Sequence, residues 1–346
     1  MRVLVFADLQ ADEGAERLRS DPSIPLQRWR VQRFYQWAAN LVQSHKIDAV
    51  WDLGDTTNDR TALLHPTVQA VTRGCAALTA GLPALHNFKL IGNHEQYSKG
   101  GQTHVGSLFH PYFNVIQDRS VFTLPNDRLH VVCASFPSDY NDLETWLDKT
   151  LSTLADRDRA QTMRIVVLGH FMVLGATIAQ HGIGWGTLKH ADCVLLGHVH
   201  RRQKLPGKCS WYIGSPFQQD FGEANDPEKC VAILDTDTLA VEWVPTPFPT
   251  YRTVSVAELA AAARSNDVLK VMVRSSDEAQ RLYASPLAHT VQPVYAFSQP
   301  APETQITGSE SPLSLDFTHL TRTYAQAVAL PGSTPDELLE VAREFQ

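Results

Sequence analysis

The sequence predicts a layered α/β protein, and three observations point there. Short apolar runs rich in Val, Ile and Leu alternate with stretches whose apolar residues recur at helical spacing. Several of these runs end in a sharp polar turn, often opened by glycine. The composition is that of an ordinary globular chain, 43% hydrophobic and 19% charged over 346 residues. No run approaches the roughly 20 apolar residues of a membrane span. The start, Met1 to Phe6, reads as a buried strand rather than a signal peptide, so a cytoplasmic location with no membrane attachment is expected.

The elements follow in order. Residues 2–7 form a first strand, ended by Asp8-Leu9-Gln10. Residues 26–45 read as an amphipathic helix with Trp29, Arg33, Trp37 and Leu41 at helical spacing, the two tryptophans as core. A strand at 47–53 ends in Gly54-Asp55, where glycine permits a sharp turn that projects the carboxylate. A helix at about 66–78 leads to a strand at 88–91, ended by Gly92-Asn93-His94-Glu95. Short strands fill 115–136 around a turn at Pro125-Asn126-Asp127, and a helix follows at about 139–155. Strands at 164–168 and 192–196 end in Gly169-His170 and in Gly197-His198-Val199-His200. Strands at 211–216 and 230–234 close this part, with Gly-rich loops at 98–107 and 175–187.

The proline-rich stretch 245–249 marks a boundary, which divides the chain into 1–244, 250–299 and 300–346. The second part reads as strand, helix, strand, helix, strand. The third reads as a linker and two short helices, the last opened by Thr334-Pro335-Asp336-Glu337. Five scattered cysteines without a Cys-x-x-Cys suggest neither a zinc ribbon nor a redox pair, and those within apolar runs, such as Cys193, are expected to be buried thiols. A net charge of −7 argues mildly against an extended nucleic-acid surface.

The polar turns belong together because each lies at the C-terminal end of a predicted strand, the edge where open α/β sheets place their sites. Asp8/Gln10 and His198/His200 are i, i+2 pairs, which point the same way from extended backbone. Carboxylates, amides and imidazoles without thiolate suit Mn, Fe, Zn or Co rather than closed structural zinc. Six or seven ligands exceed the needs of one ion, so two divalent ions are implied, with Asp55 able to bridge. Two such ions clamp a phosphoryl group. His94, beside Asn93, is then placed to contact the substrate, where it would stabilise the transition state or protonate the leaving oxygen.

These turns resemble the calcineurin-like metallophosphoesterase superfamily, whose pattern runs Asp-x-His, Gly-Asp, Gly-Asn-His-Asp/Glu, Gly-His and Gly-His-x-His. The match spans roughly residues 1–235 and departs at Gln10, where most members carry His. The resemblance implies an α/β/β/α core with a small α/β capping domain and C-terminal helices. It implies a first metal on Asp8, Gln10, Asp55 and His200, a second on Asp55, Asn93, His170 and His198, and His94 as the catalytic histidine. Mn²⁺ is the expected metal.

A finer resemblance rests on Gly197-His198-Val199-His200-Arg201-Arg202-Gln203, Gly214-Ser215-Pro216 and Phe221-Gly222-Glu223, with Asn58-Asp59-Arg60 in support. These segments are similar to the SbcD-type DNA-repair nuclease. That likeness implies an exonuclease and endonuclease acting on DNA ends or hairpins, a homodimer, and an SbcC-type coiled-coil ATPase partner bound by the C-terminal helices. Asn58 would lie on the substrate side, and Arg60, Arg201 and Arg202 would contact DNA phosphates. Asp-x-Gln and the negative charge keep an alternative open, a small-molecule phosphodiesterase or nucleotide pyrophosphatase.

Overall fold

The computed structural model describes residues 1–18, 21–98, 103–157, 163–176, 181–226, 228–263 and 265–296. The linker and helices expected over 300–346, and parts of the two Gly-rich loops, lie outside the described residues. Two six-stranded sheets form the centre, and both follow from apolar runs of β-branched residues.

In chain order the elements begin with β1 (Arg2–Phe6), the short hairpin β2 (Arg17–Leu18) and β3 (Asp21–Pro25), and α1 (Leu26–Ser44). Next come β4 (Ala49–Asp52), α2 (His65–Leu78), β5 (Phe88–Leu90), β6 (Asn114–Ile116), β7 (Arg119–Leu124) and β8 (Leu129–Ala134). The helix α3 (Tyr140–Arg157) precedes β9 (Arg164–Gly169), β10 (Cys193–Leu196), β11 (Gln203–Lys204), β12 (Cys209–Tyr212), β13 (Cys230–Asp235) and β14 (Val241–Pro245).

The first sheet runs β14-β13-β1-β4-β5-β6 and the second β11-β12-β10-β9-β8-β7. Within them β1, β4 and β5 are parallel neighbours, as are β9 and β10. Side-chain alternation sets the layers. Val3 and Val5 of β1 join Val131 and Cys133 of β8 in the core between the sheets. Leu4 and Phe6 face the other way, onto Phe34, Tyr35 and Ala38 of α1. Val132 and Ala134 face outward beneath Leu143, Leu147 and Leu151 of α3. This is the α/β/β/α layering that the family resemblance implies. The buried face of α1 is centred on Phe34, Tyr35 and Ala38, and Trp37 sits half-buried at its margin.

Two details correct the sequence reading. β14 forms where only the approach to a boundary was expected, because its residues extend the first sheet beside β13. Cys193 and Cys209 are not thiols: they are register partners on adjacent parallel strands, 4.5 Å apart at Cα, and are joined as a disulfide. The spacing of 16 residues hides this, since only strand order brings them together. Cys75, Cys133 and Cys230 are buried and free. No helix among the described residues is long and apolar enough to cross a membrane.

Residues beyond 250 build a three-stranded parallel sheet, β15 (Tyr251–Ser255), β16 (Val268–Val273) and β17 (Gln292–Tyr295). The helices α4 (Leu259–Ala262) and α5 (Ser276–Tyr283) connect these strands. A small core of Val254, Leu259, Leu269, Val271 and Leu282 holds them. Arg30 of α1 ties this sheet's entry to the main layers. Its guanidinium is fully buried, donates to the carbonyls of Gln218 (3.0 Å) and Pro249 (2.6 Å), and lies over the rings of Tyr251 and Phe217. Arg30→Ala leaves both carbonyls unpaired and opens a cavity, and the expected loss is roughly 2–4 kcal/mol in a denaturant titration. An unchanged midpoint would show that the tie is dispensable.

Candidate metal centre

The C-terminal ends of β1, β4, β5, β9 and β10 meet at one edge of the two sheets, and every candidate ligand lies on the turns just beyond them. Backbone hydrogen bonds lock the first two turns together, with Asp8 N donating to Gly54 O and Gln10 N to Asp55 O, each 2.9 Å. The second sheet is joined across the gap. His198 N donates to the Asp8 carboxylate at 3.0 Å, and His170 Nδ1 donates to the Leu53 carbonyl at 2.7 Å.

The turns are strained. Asp8, Gln10, Asp55 and His198 all hold positive φ, between 52° and 84°, a region non-glycine residues rarely adopt. Each such residue costs of order 1–3 kcal/mol and persists where the surroundings over-determine it, which is typical of functional sites. Glycine clears the space around them. A Cβ on Gly92 would lie 2.0 Å from Asp55 Oδ1, and one on Gly54, at φ +108°, would lie 2.5 Å from His170 Nδ1.

Two groups of atoms converge. In one, Asn93 Oδ1 lies 2.8 Å from His198 Nδ1 and 3.3 Å from His170 Nε2, which is itself 3.3 Å from Asp55 Oδ2. Ligand atoms of Asp55, His170 and His198 all fall within 4.8 Å of one another. In the other, Gln10 Nε2 lies 3.2 Å from Asp55 Oδ2, and His200 Nε2 lies 4.0 Å from Asp8 Oδ1. Asp55 Oδ2 therefore stands between the two groups, while its Oδ1 accepts from the backbone N–H of His94 at 2.8 Å.

The residues present fit a pair of divalent ions. Gln10 Oε1 is buried with no hydrogen-bond partner, which is costly for an amide oxygen unless something else engages it. Both His170 and His200 donate Nδ1–H to an oxygen, Leu53 O and Glu223 Oε1, an arrangement that leaves Nε2 as the atom able to ligate an ion once it gives up any proton it carries. Asp8 and His170 are fully buried, and Asp55 is almost so.

Electrostatics divide the histidines. Burial disfavours the His170 imidazolium, yet the Asp55 and Asp8 carboxylates lift its pKa to about 9. Burial and the neighbouring His170 push His198 down to about 3. Burial works to raise Asp55, but His170 and His94 hold it well below the usual carboxylate range.

The remaining expected residues are spread around this cluster. His94 Nδ1 donates to the Asn58 carbonyl at 2.8 Å, so Nε2 is left for other work. The Asn58 side chain instead donates to Asp12. His94, Asn58 and Arg60 line a cavity of about 600 Å³, walled also by Asp12, Glu13 and Leu64. Arg201 is exposed on the turn after His200. Arg202 is taken up by Glu228 and by the Trp243 ring at 5.1 Å, which leaves it poorly placed for a phosphate.

A buried charge cluster was not anticipated. Glu95 accepts from the backbone N–H groups of Asp55, Thr56 and Gly92, and pairs with Lys89 at 2.7 Å. Lys89 also reaches Asp52 at 3.4 Å, and all three side chains are sealed from solvent. Burial and the neighbouring Glu95 raise Asp52 to about 6, although Lys89 opposes this. The sequence signal was Glu95 itself, directly after Gly-Asn-His, but nothing in the strand 88–91 marked Lys89 as its partner.

Two outcomes follow from this geometry. An ion that takes His170 Nε2 displaces a proton held up to about pH 9, so Mn²⁺ uptake at pH 7.5 should release protons and tighten as pH rises towards 9. Calorimetry in buffers of different ionisation enthalpy reads this, and buffer-independent heats would count against His170 as a ligand. Gly92→Ala drives a methyl group into Asp55 and should weaken Mn²⁺ binding by at least about tenfold, measured by titration. An unchanged titration would mean that the Asp55 position does not set affinity.

The calcineurin-like phosphoesterase family matches residues 1–202. No curated protein matches the chain. Among solved structures, a dimetal phosphatase from Danio rerio is 16% identical and covers 61% of this chain and 85% of its own, with a TM-score of 0.41. A glutamine-dependent NAD+ synthetase from Acinetobacter baumannii is 10% identical and covers 99% of this chain and 70% of its own, with a TM-score of 0.25. These structural likenesses are loose and add nothing to the chemistry. The family match spans more than half of the chain and includes every turn that builds the cluster, so the protein belongs to the calcineurin-like phosphoesterase family and is a metal-dependent phosphoester hydrolase.

Proposed function

We propose that the chain hydrolyses phosphodiester bonds with two divalent ions, Mn²⁺ as the working pair, and that its substrate is DNA. The observation that carries the two-ion reading is the position of Asp55 Oδ2, 3.2 Å from Gln10 Nε2 on one side and 3.3 Å from His170 Nε2 on the other. Asp8, Gln10, Asp55 and His200 would hold one ion, and Asp55, Asn93, His170 and His198 the other. When bound, the pair supplies concentrated positive charge to a phosphoryl group and to the oxygens that attack and leave it.

The chain's own residues do the rest. His94 is oriented by its Nδ1–H bond to the Asn58 carbonyl, and from the doubly protonated ring its Nε2–H would hand a proton to the departing oxygen, leaving the neutral imidazole. The Asp55 carboxylate is fixed by the His94 N–H, so the proton donor and the bridging ligand are set by one turn. Arg60, on the cavity wall beside His94, offers a charge for a neighbouring phosphate, and Arg201 a second on the turn after His200.

The DNA reading is supported by the likeness of the Gly-His-x-His, Gly-Ser-Pro and Phe-Gly-Glu segments to SbcD-type nucleases. In that reading the chain works as a homodimer with an SbcC-type ATPase on DNA ends or hairpins. One observation favours a small nucleotide diester instead. A second cavity of about 280 Å³, lined by Gln10, His200 and His94, also carries Asp12, Glu16 and Asp220, carboxylates that repel a polyanion.

The test is cleavage of end-labelled linear duplex and closed circular single-stranded DNA with Mn²⁺, Mg²⁺ or chelator, beside a nucleotide diester. Mn²⁺-dependent DNA cleavage is expected, and turnover of the diester alone would move the assignment to the small-molecule reading. His94→Asn should lower turnover by about 10²–10⁴-fold while Mn²⁺ binding persists. Asp55→Ala should lose both, and equal metal loss in the two variants would refute this division of roles.

A further inference from the structure

The Phe221-Gly222-Glu223 segment lies beyond the residues matched by the family, and no ligand role falls on it. Its carboxylate nevertheless sits against the metal cluster. Glu223 Oε1 accepts from His200 Nδ1 at 2.7 Å, and the side chain is half-buried there. The other oxygen, Oε2, pairs with Lys229 Nζ at 2.8 Å and accepts from the backbone N–H of Gln219 at 3.3 Å.

Lys229 is more than a counter-charge. Its ammonium also donates to the carbonyl of His200 itself at 2.9 Å and to Ser215 Oγ at 3.1 Å, and pairs with Asp226 at 2.9 Å. The His200 ring and the His200 backbone are therefore gripped by one cation–carboxylate pair. Gln218 Nε2 adds a bond to the Glu223 carbonyl at 2.9 Å, which fixes the short turn that carries it. The three segments Gly197–Gln203, Gly214–Pro216 and Phe221–Glu223, apart in sequence, are thus one hydrogen-bonded unit around His200.

We propose that Glu223, held by Lys229, is a positioning residue that orients His200 as a ligand of the first metal. The inference rests on the two-ion reading above. Glu223 holds the proton of His200 on Nδ1, keeps Nε2 turned towards Asp8, and makes that nitrogen a stronger donor. Its effect is confined to one site of the two, because no atom of Glu223 contacts Asn93, His170 or His198 among the described interactions.

The experiment is calorimetric titration of the full chain with Mn²⁺, for the unaltered protein, Glu223→Ala, Glu223→Gln and His200→Ala. His200→Ala identifies which binding event belongs to the first site. Glu223→Ala should weaken that same event by about 10–100-fold and leave the other unchanged. Glu223→Gln should recover most of the loss, because its amide oxygen accepts the same bond from Nδ1–H and Lys229 keeps Asp226 as a partner.

Three results would overturn the proposal. They are unchanged affinities in Glu223→Ala, loss of both binding events in both variants, and a Gln variant as weak as the Ala one, which would make Glu223 a ligand in its own right. An unaltered protein that takes up no Mn²⁺ would instead overturn the two-ion reading, and the positioning role with it.

Discussion

The Asp55 carboxylate is the point on which the site depends. One oxygen is held by the His94 N–H, and the other faces both Gln10 and His170. The turn that presents it is pinned from behind by Glu95, which accepts from the backbone of Asp55, Thr56 and Gly92. Glu95 in turn needs Lys89, since a carboxylate sealed from water is costly unless paired. Lys89 balances Asp52 as well, whose Oδ2 accepts from Thr56 Oγ1 and whose Oδ1 accepts from Gly54 N. A buried ionic cluster of this kind adds little net stability, and removing one partner is costly. Its consequence here is geometric, because it over-determines a strained turn.

That strain recurs around the centre. Asp8, Gln10, Asp55 and His198 share left-handed backbone, and all four lie where strands of the two sheets approach each other. The layered core supplies what holds them. Val3, Val5, Trp51, Phe88, Val166, Leu168 and Leu195 fill the space between the sheets with almost no exposure, so the strand ends cannot relax independently. The His170–Leu53 and His198–Asp8 bonds then close one sheet edge upon the other. Rigid strands and strained turns together place polar atoms in positions that loops alone would not hold.

Gln10 shows how sequence and structure divide the argument. The chain order Asp8-Leu9-Gln10 is enough to set an amide at the first turn, two residues after a carboxylate. Only the fold shows that its oxygen is buried and unpartnered while its nitrogen faces Asp55. Arg202 is the opposite case. A basic residue after Gly-His-x-His looks available for phosphate, but its side chain folds back onto Trp243 and Glu228. Side-chain direction on a short turn is decided by what lies beside it, and Trp243 belongs to a strand more than forty residues later.

The sequence by itself determined the α/β class and the positions of the polar turns, because strand and helix periodicity and glycine-bounded strand ends are local properties of the chain. It marked Asp8, Gln10, Asp55, Asn93, His94, His170, His198 and His200 without any contact being visible. The tertiary structure alone decided which atoms of these residues converge, that Cys193 and Cys209 pair across strands, and that Lys89, Asp52 and Glu95 form one sealed cluster. It also joined Glu223 and Lys229 to His200. These are pairings between residues far apart in the chain or on neighbouring strands. They depend on strand order and register, which a linear pattern of apolar and polar residues does not carry.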